Sequence, residues 1–199
     1  MRDDMSEQKA QMRRAALGRR DAMSEEARIE ASLAVADHVA ALVEITPGMA
    51  VSGFLPIRSE IDVRPLMMLL ADRGARLCVP AIVEGRLVFR HLVRGAPLEP
   101  QGFGTYAPGA DAAILDPELM LVPLAAFDRG GGRLGYGRGY YDTAIAGLRA
   151  KGMTPRLVGI AFAAQEVDHV RMEAHDIPLD VVVTEQGVVA GAAEPIARG

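Results

Sequence analysis

A chain of 199 residues, 50% hydrophobic and 24% charged, is long enough to bury a full apolar core in one domain and too apolar to stay disordered. Its net charge of -4 at pH 7 argues against a general nucleic-acid binder, which needs a basic excess to displace phosphate counterions. A single cysteine, Cys78, excludes an internal disulfide, and no run reaches the ~20 apolar residues of a membrane span.

The segment from Met1 to Arg20 is polar and lacks the apolar stretch of an export signal. The expectation is a cytoplasmic protein, monomeric or weakly homodimeric, with no nucleic-acid or membrane partner. Residues 6 to 44 read as two helices. In the second, Ile29, Leu33, Ala36, Val39 and Val43 recur at helical spacing and predict a buried stripe. Ser24 is placed to cap that helix, with Glu25 and Glu26 favouring its positive end. Thr46-Pro47-Gly48 breaks it.

Met49 to Phe54 reads as a buried strand, and Asp62 as the cap of a helix running to Arg73 and closed by Gly74. Arg76 to Pro80 is a second buried strand, paired through the Glu84-Gly85 turn with Arg86 to His91. Residues 95 to 111 are rich in Gly and Pro and read as a loop. Leu119 to Val122 is a strand, residues 130 to 139 a Gly-rich loop, and Tyr140 to Ala150 a helix ended by Gly152 and Pro155. Leu157 to Phe162 and Val181 to Thr184 are further strands, and residues 191 to 199 a flexible tail. Strands alternate with helices and are apolar throughout, which predicts a mostly parallel sheet covered on both faces. The fold expected is a single three-layer α/β/α domain over residues 1–190, with an N-terminal helical segment.

The run from Gly130 to Asp142 bears the sharpest chemistry. It follows a strand and opens a helix, where α/β sheets bind ligands. Its glycines let backbone amides crowd a phosphate, the helix start adds partial positive charge, and Arg133 and Arg138 bring guanidinium groups. Asp142 lies in the same segment and is able to hold magnesium between phosphates or to cap the helix. The glycine spacing fits neither a Walker A loop nor a dinucleotide fingerprint.

Val122 to Asp128, followed by Arg133-Leu134-Gly135-Tyr136-Gly137-Arg138-Gly139-Tyr140-Tyr141-Asp142, resembles the signature of 5-formyltetrahydrofolate cyclo-ligases. Lys9 and Arg13 resemble the family's N-terminal Lys-x-x-x-Arg, Phe54 to Asp62 its substrate segment, and Asp176 to Asp180 its C-terminal Asp segment. The resemblance spans residues 9 to 185 and implies Mg²⁺ as cofactor, ATP as co-substrate and 5-formyltetrahydrofolate as substrate. It implies ATP contacts from Lys9, Arg13 and residues 133 to 141, namely Arg133, Leu134, Gly135, Tyr136, Gly137, Arg138, Gly139, Tyr140 and Tyr141. It implies substrate contacts from Leu55, Glu60, Tyr136, Gly137, Arg138, Gly139 and Tyr140, with Glu60 bonding the pterin. Tyr140 is favoured over Tyr141 at the ligand, and Phe103 and Tyr106 are candidates for the pocket wall. Arg138 and Arg133 are the expected catalytic residues. Asp142 and Asp176 are the implied metal ligands, with Asp128 and Asp180 as rivals for the second position.

Three positions depart from the family pattern. Arg138 stands where Lys is frequent, Thr143 where Arg is common, and Ala107 where many relatives carry Glu. His38, His91, His169 and His175 show no metal spacing and read as surface or structural. A sugar-phosphate enzyme using the same loop without ATP, and a non-catalytic folate- or nucleotide-binding regulator, are the alternatives.

Overall fold

The computed structural model describes residues 2–102, 104–173 and 176–189, with side chains from Met5 onward. Phe103, His175 and the tail 191–199, on which three expectations fall, lie outside the described residues. Helix α1 (Arg2–Asp21) leads into α2 (Glu25–Leu42). The Ser24 hydroxyl accepts from the Ala27 N–H at 3.1 Å, capping α2 as the sequence predicts. Strands β1 (Ala50–Ser52), β2 (Arg76–Val83) and β3 (Arg86–His91) are joined by helix α3 (Arg64–Asp72) and a tight turn. The turn residues Glu84 and Gly85 both adopt positive φ, 48° and 75°. That is the geometry that matches a two-residue hairpin to strand twist.

Helix α3 starts one residue later than expected. Its cap position is Val63, but the Asp62 carboxylate still accepts from the Arg64 N–H at 3.0 Å. Residues 95 to 111 are not all loop. Within them β4 (Leu98–Gly102) pairs antiparallel with β5 (Thr105–Pro108). The sequence hides this hairpin because its prolines and glycines lower strand propensity, and a two-stranded ribbon tolerates them at its edges.

Beyond the hairpin run β6 (Leu119–Pro123), β7 (Ala126–Phe127), β8 (Arg133–Leu134), helix α4 (Tyr140–Ala150), β9 (Arg156–Ile160), β10 (Val181–Thr184) and β11 (Gly187–Val189). The main sheet has the order β11-β10-β9-β6-β1-β2-β3. The pairs from β10 through β2 are parallel, and both edge strands are antiparallel. All described residues of β6 but its last are buried, as are all four of β10. Their continuous apolar runs are therefore those of strands covered on two faces.

Helices α2 and α3 pack Val35, Val39, Leu66 and Leu70 on one face of the sheet, and α4 packs Ile145 and Leu148 on the other. The three-layer α/β/α arrangement expected from the sequence is thus present. Of the stripe predicted for α2, Ala36, Val39 and Val43 are buried, but its first two members are not. Ile29 and Leu33 are 55% and 52% exposed, while Ala31, Ser32, Val35, Ala36, Val39 and Ala40 are buried. The face that docks is the one carrying alanines, which lets α2 lie close to the sheet and α3. Cys78 is wholly buried, and the pKa of its thiol is pushed up to about 12 by that burial.

Candidate active site

The loops that follow β1 and β6 meet at the carboxyl ends of the parallel strands, where the glycine-rich segment lies. That segment is more fixed than a free loop. Leu134 pairs with Ala126 and Arg133 with Phe127 across β7 and β8. Asp128, 5% exposed, holds the turn by accepting from the backbone N–H groups of Gly130 and Gly132 at 2.9 Å each and of Val170 at 2.6 Å. Gly132 is required there for space: an added Cβ would lie 2.7 Å from the Asp128 carboxylate. Gly137 is required for conformation, with φ +93°.

These bonds commit Asp128 to the backbone. Asp180 is committed too, accepting from the Leu157 N–H at 2.7 Å. Leu157 is the second residue of β9 and Asp180 precedes β10, so Asp180 sits at the amino ends of these parallel strands. Both rivals for the metal position are thus engaged by backbone amides.

A cavity of about 360 Å³ opens beside the loop, within the size range of small-molecule sites. It is lined by Met5, Ser6, Lys9, Arg13, Arg133, Leu134, Gly135, Gly137, Gly139, Asp142, Glu173 and Asp176. Residues far apart in the chain thus converge as the resemblance implies. The Lys9 ammonium, 8% exposed, donates to Asp176 at 2.8 Å and Glu173 at 2.7 Å. Burial works to lower its pKa, but the bonds to both carboxylates prevail and hold it above the ordinary lysine value. Arg13 Nε donates to the Gly135 carbonyl at 2.8 Å. Arg133, only 5% exposed, donates to Asp142 Oδ1 at 2.7 Å and to the Ile177 carbonyl at 3.3 Å.

Of the residues expected at the site, Leu55, Glu60, Tyr136, Arg138, Tyr140 and Tyr141 do not line this cavity. Leu55 packs against the core under α2 and α3, and Tyr141 against the core under α4, with its hydroxyl buried and without a partner among the described residues. Arg138 is exposed, Tyr140 is half-buried, and neither lines the cavity. Tyr106, a candidate for the pocket wall, is 49% exposed on β5. Ala107, where relatives often carry Glu, is wholly buried among apolar side chains. His38 bonds the Thr184 carbonyl and His169 lies 3.5 Å from Asp128, in keeping with structural roles.

Glu60 occupies a second, adjoining centre. Its carboxylate accepts from the Tyr136 hydroxyl and, at 2.9 Å, from the Ile57 N–H. Burial pushes its pKa above the ordinary value, against the Tyr136 and Ile57 bonds and the charges of Arg20 and Arg58. Tyr136 also accepts from Arg20 Nη1 at 2.8 Å, and Arg20 Nε donates to the Ser59 hydroxyl at 3.0 Å. Neither Arg20 nor Glu173 is among the site residues expected from the sequence. A signal for Arg20 existed: Lys9, Arg13, Ala16 and Arg20 recur at the spacing of one helix face. Of these, Lys9, Ala16 and Arg20 are buried.

The donor set suits magnesium in one particular way. Among the described residues no three metal-binding side chains converge as a ready-made cage. Asp142 and Asp176 supply two carboxylates to one cavity, and both described bonds of Asp142 fall on Oδ1. Magnesium commonly takes one or two carboxylates and completes its shell with water and substrate phosphates.

The model of the 5-formyltetrahydrofolate cyclo-ligase family matches residues 5–185. A 5-formyltetrahydrofolate cyclo-ligase of Escherichia coli K12 is 29% identical over 177 residues, covering 85% of this chain and 96% of that protein. One from Mycolicibacterium smegmatis is 30% identical over 161 residues, 72% of this chain and 77% of that protein. The solved structure of Aquifex aeolicus 5,10-methenyltetrahydrofolate synthetase superposes with a TM-score of 0.76 at 29% identity, covering 96% of both chains. With the signature loop, its cations and its carboxylates gathered on one cavity and a family match that runs through nearly all of the described fold, this chain belongs to the 5-formyltetrahydrofolate cyclo-ligase family.

Proposed function

We propose that the protein closes 5-formyltetrahydrofolate to 5,10-methenyltetrahydrofolate with hydrolysis of ATP to ADP and phosphate, and that magnesium is required. The observation that supports it most directly is the convergence of Lys9, Arg13, Arg133, the loop glycines, Asp142 and Asp176 on one cavity, beside the Glu60 centre. The formyl oxygen on nitrogen 5 is a poor leaving group. The γ-phosphoryl group of ATP passes to it, breaking the bond to the β-phosphate oxygen and forming an imidate phosphate. Nitrogen 10 then attacks the activated carbon, its proton is released, and phosphate departs with the oxygen.

Catalysis of this kind rests on positioning and on neutralising phosphoryl charge. Lys9, Arg13 and the loop amides hold the triphosphate, and exposed Arg138 reaches the transferring group. Arg133 keeps Asp142 in place through their buried ion pair. Asp142 and Asp176 would hold magnesium, whose chemistry is to shield charge on the phosphates. Glu60 accepts the paired N–H donors of the pterin edge.

The test is the absorbance of the methenyl product from 5-formyltetrahydrofolate and Mg-ATP. A rise that requires ATP and magnesium, is lost in Asp142→Asn and falls about a hundredfold or more in Arg138→Ala is expected, the range for removal of one transition-state charge donor. No product from folded, ATP-binding protein refutes the proposal.

A further inference from the structure

The Glu60 centre is organised by a residue that makes no direct bond to Glu60 itself. Arg20 closes the last turn of α1 and is 3% exposed. Its guanidinium points one donor at Tyr136 and another at Ser59. A guanidinium only donates, so each hydroxyl must accept from it and has one proton left to give. The Tyr136 proton goes to Glu60, and the Ser59 proton to Asp21. One rigid fork thus fixes the direction of two hydroxyl protons. Tyr136 belongs to the glycine-rich loop and Glu60 to the segment after β1, so Arg20 joins the two parts of the site. The nucleotide side of the loop has its own clasp, Arg13 on the Gly135 carbonyl.

Resting on the folate reading of Glu60, we infer that Arg20 is a positioning residue for the pterin-binding carboxylate. It holds the Tyr136 hydroxyl with its proton directed at Glu60, and so presents that carboxylate in one orientation. It does not touch the nucleotide. The role separates Arg20 from Lys9 and Arg13 on the same helix face, which serve the phosphate cavity.

The test is equilibrium binding measured by calorimetry, with 5-formyltetrahydrofolate alone and with a non-hydrolysable ATP analogue plus magnesium alone. Arg20→Gln and Tyr136→Phe are each expected to weaken folate binding about tenfold or more, the effect of one lost charge-assisted or buried hydrogen bond. Arg20→Gln leaves nucleotide affinity within about twofold. Because the two residues act through one contact, the double variant binds folate no worse than the weaker single one. Arg20→Lys, which keeps a donor and the charge, recovers part of the loss. Unchanged folate affinity in either single variant, or equal losses for folate and nucleotide, overturns the inference. If Arg20→Gln fails to fold, Arg20→Lys decides in its place, since loss of the second fork donor is expected to weaken folate binding and spare nucleotide binding. Absence of folate binding by the unaltered protein sinks the proposed function as well, an outcome distinct from binding that ignores Arg20.

Discussion

In the role proposed for Glu60, ligand binding works against folding. Burial raises its pKa, so the folded protein binds that proton more tightly than the unfolded chain does. A raised carboxylate pKa means that ionisation works against folding at pH values above the ordinary Glu range, and that stability is regained as pH falls through the folded pKa. Glu60→Gln is therefore expected to leave the melting temperature of the ligand-free protein at neutral pH unchanged or higher, while folate binding weakens. A clear fall in melting temperature would show that the ionised carboxylate supports the fold. Asp128 makes the opposite case. It accepts from three backbone N–H groups, which Asp128→Ala would leave buried without partners. A loss of about 3 kcal/mol in urea unfolding is expected, in line with several unsatisfied donors and a charged acceptor removed.

At the scale of elements, α2 and the glycine-rich loop were read with different success. The period of α2 is visible in the sequence, but alanines and larger apolar residues spread around the helix, so more than one stripe satisfies it. Packing kept Ala36, Val39 and Val43 of the predicted stripe, added Val35 and left Ile29 and Leu33 exposed. Val35→Ala should accordingly cost about 2 kcal/mol, as truncation in a packed core does. Leu33→Ala should stay within about 0.5 kcal/mol, as at an exposed site. Chemical denaturation of the two variants checks the assignment, and a larger effect at Leu33 would restore the first stripe. The glycine-rich loop was legible as a site because its residue types have few other uses. Its anchoring was not, since the β7–β8 pair is only two residues on each side and Asp128 reaches Val170 across 42 positions.

The whole molecule is a parallel sheet whose middle is sealed by helices and whose edges are antiparallel. Strands β6 and β9 pair in parallel with each other and have a strand on the far side as well. Their amides open only when the core does, so native-state hydrogen exchange should be slowest there. The β4–β5 hairpin, with β4 mostly exposed, should exchange faster. Protection in the hairpin equal to that in β6 would contradict this division. Among the described residues no helix is long and apolar enough to cross a membrane.

Local signals in the sequence determined the alternation of strand and helix, the Ser24 cap, the Glu84-Gly85 turn and the signature loop, because each depends on residues a few positions apart. The family, too, was recognisable from ungapped motifs. Tertiary structure alone decided which face of α2 is buried, that residues 98 to 108 pair as a hairpin, and that Asp128 and Asp180 serve the backbone. It also decided that Lys9 meets Glu173 and Asp176, more than 160 positions away, and that Tyr136 stands between Arg20 and Glu60. The physical reason is common to all of these. A charged side chain is indifferent to its sequence neighbours, and its role is set by the partners that burial forces it to find.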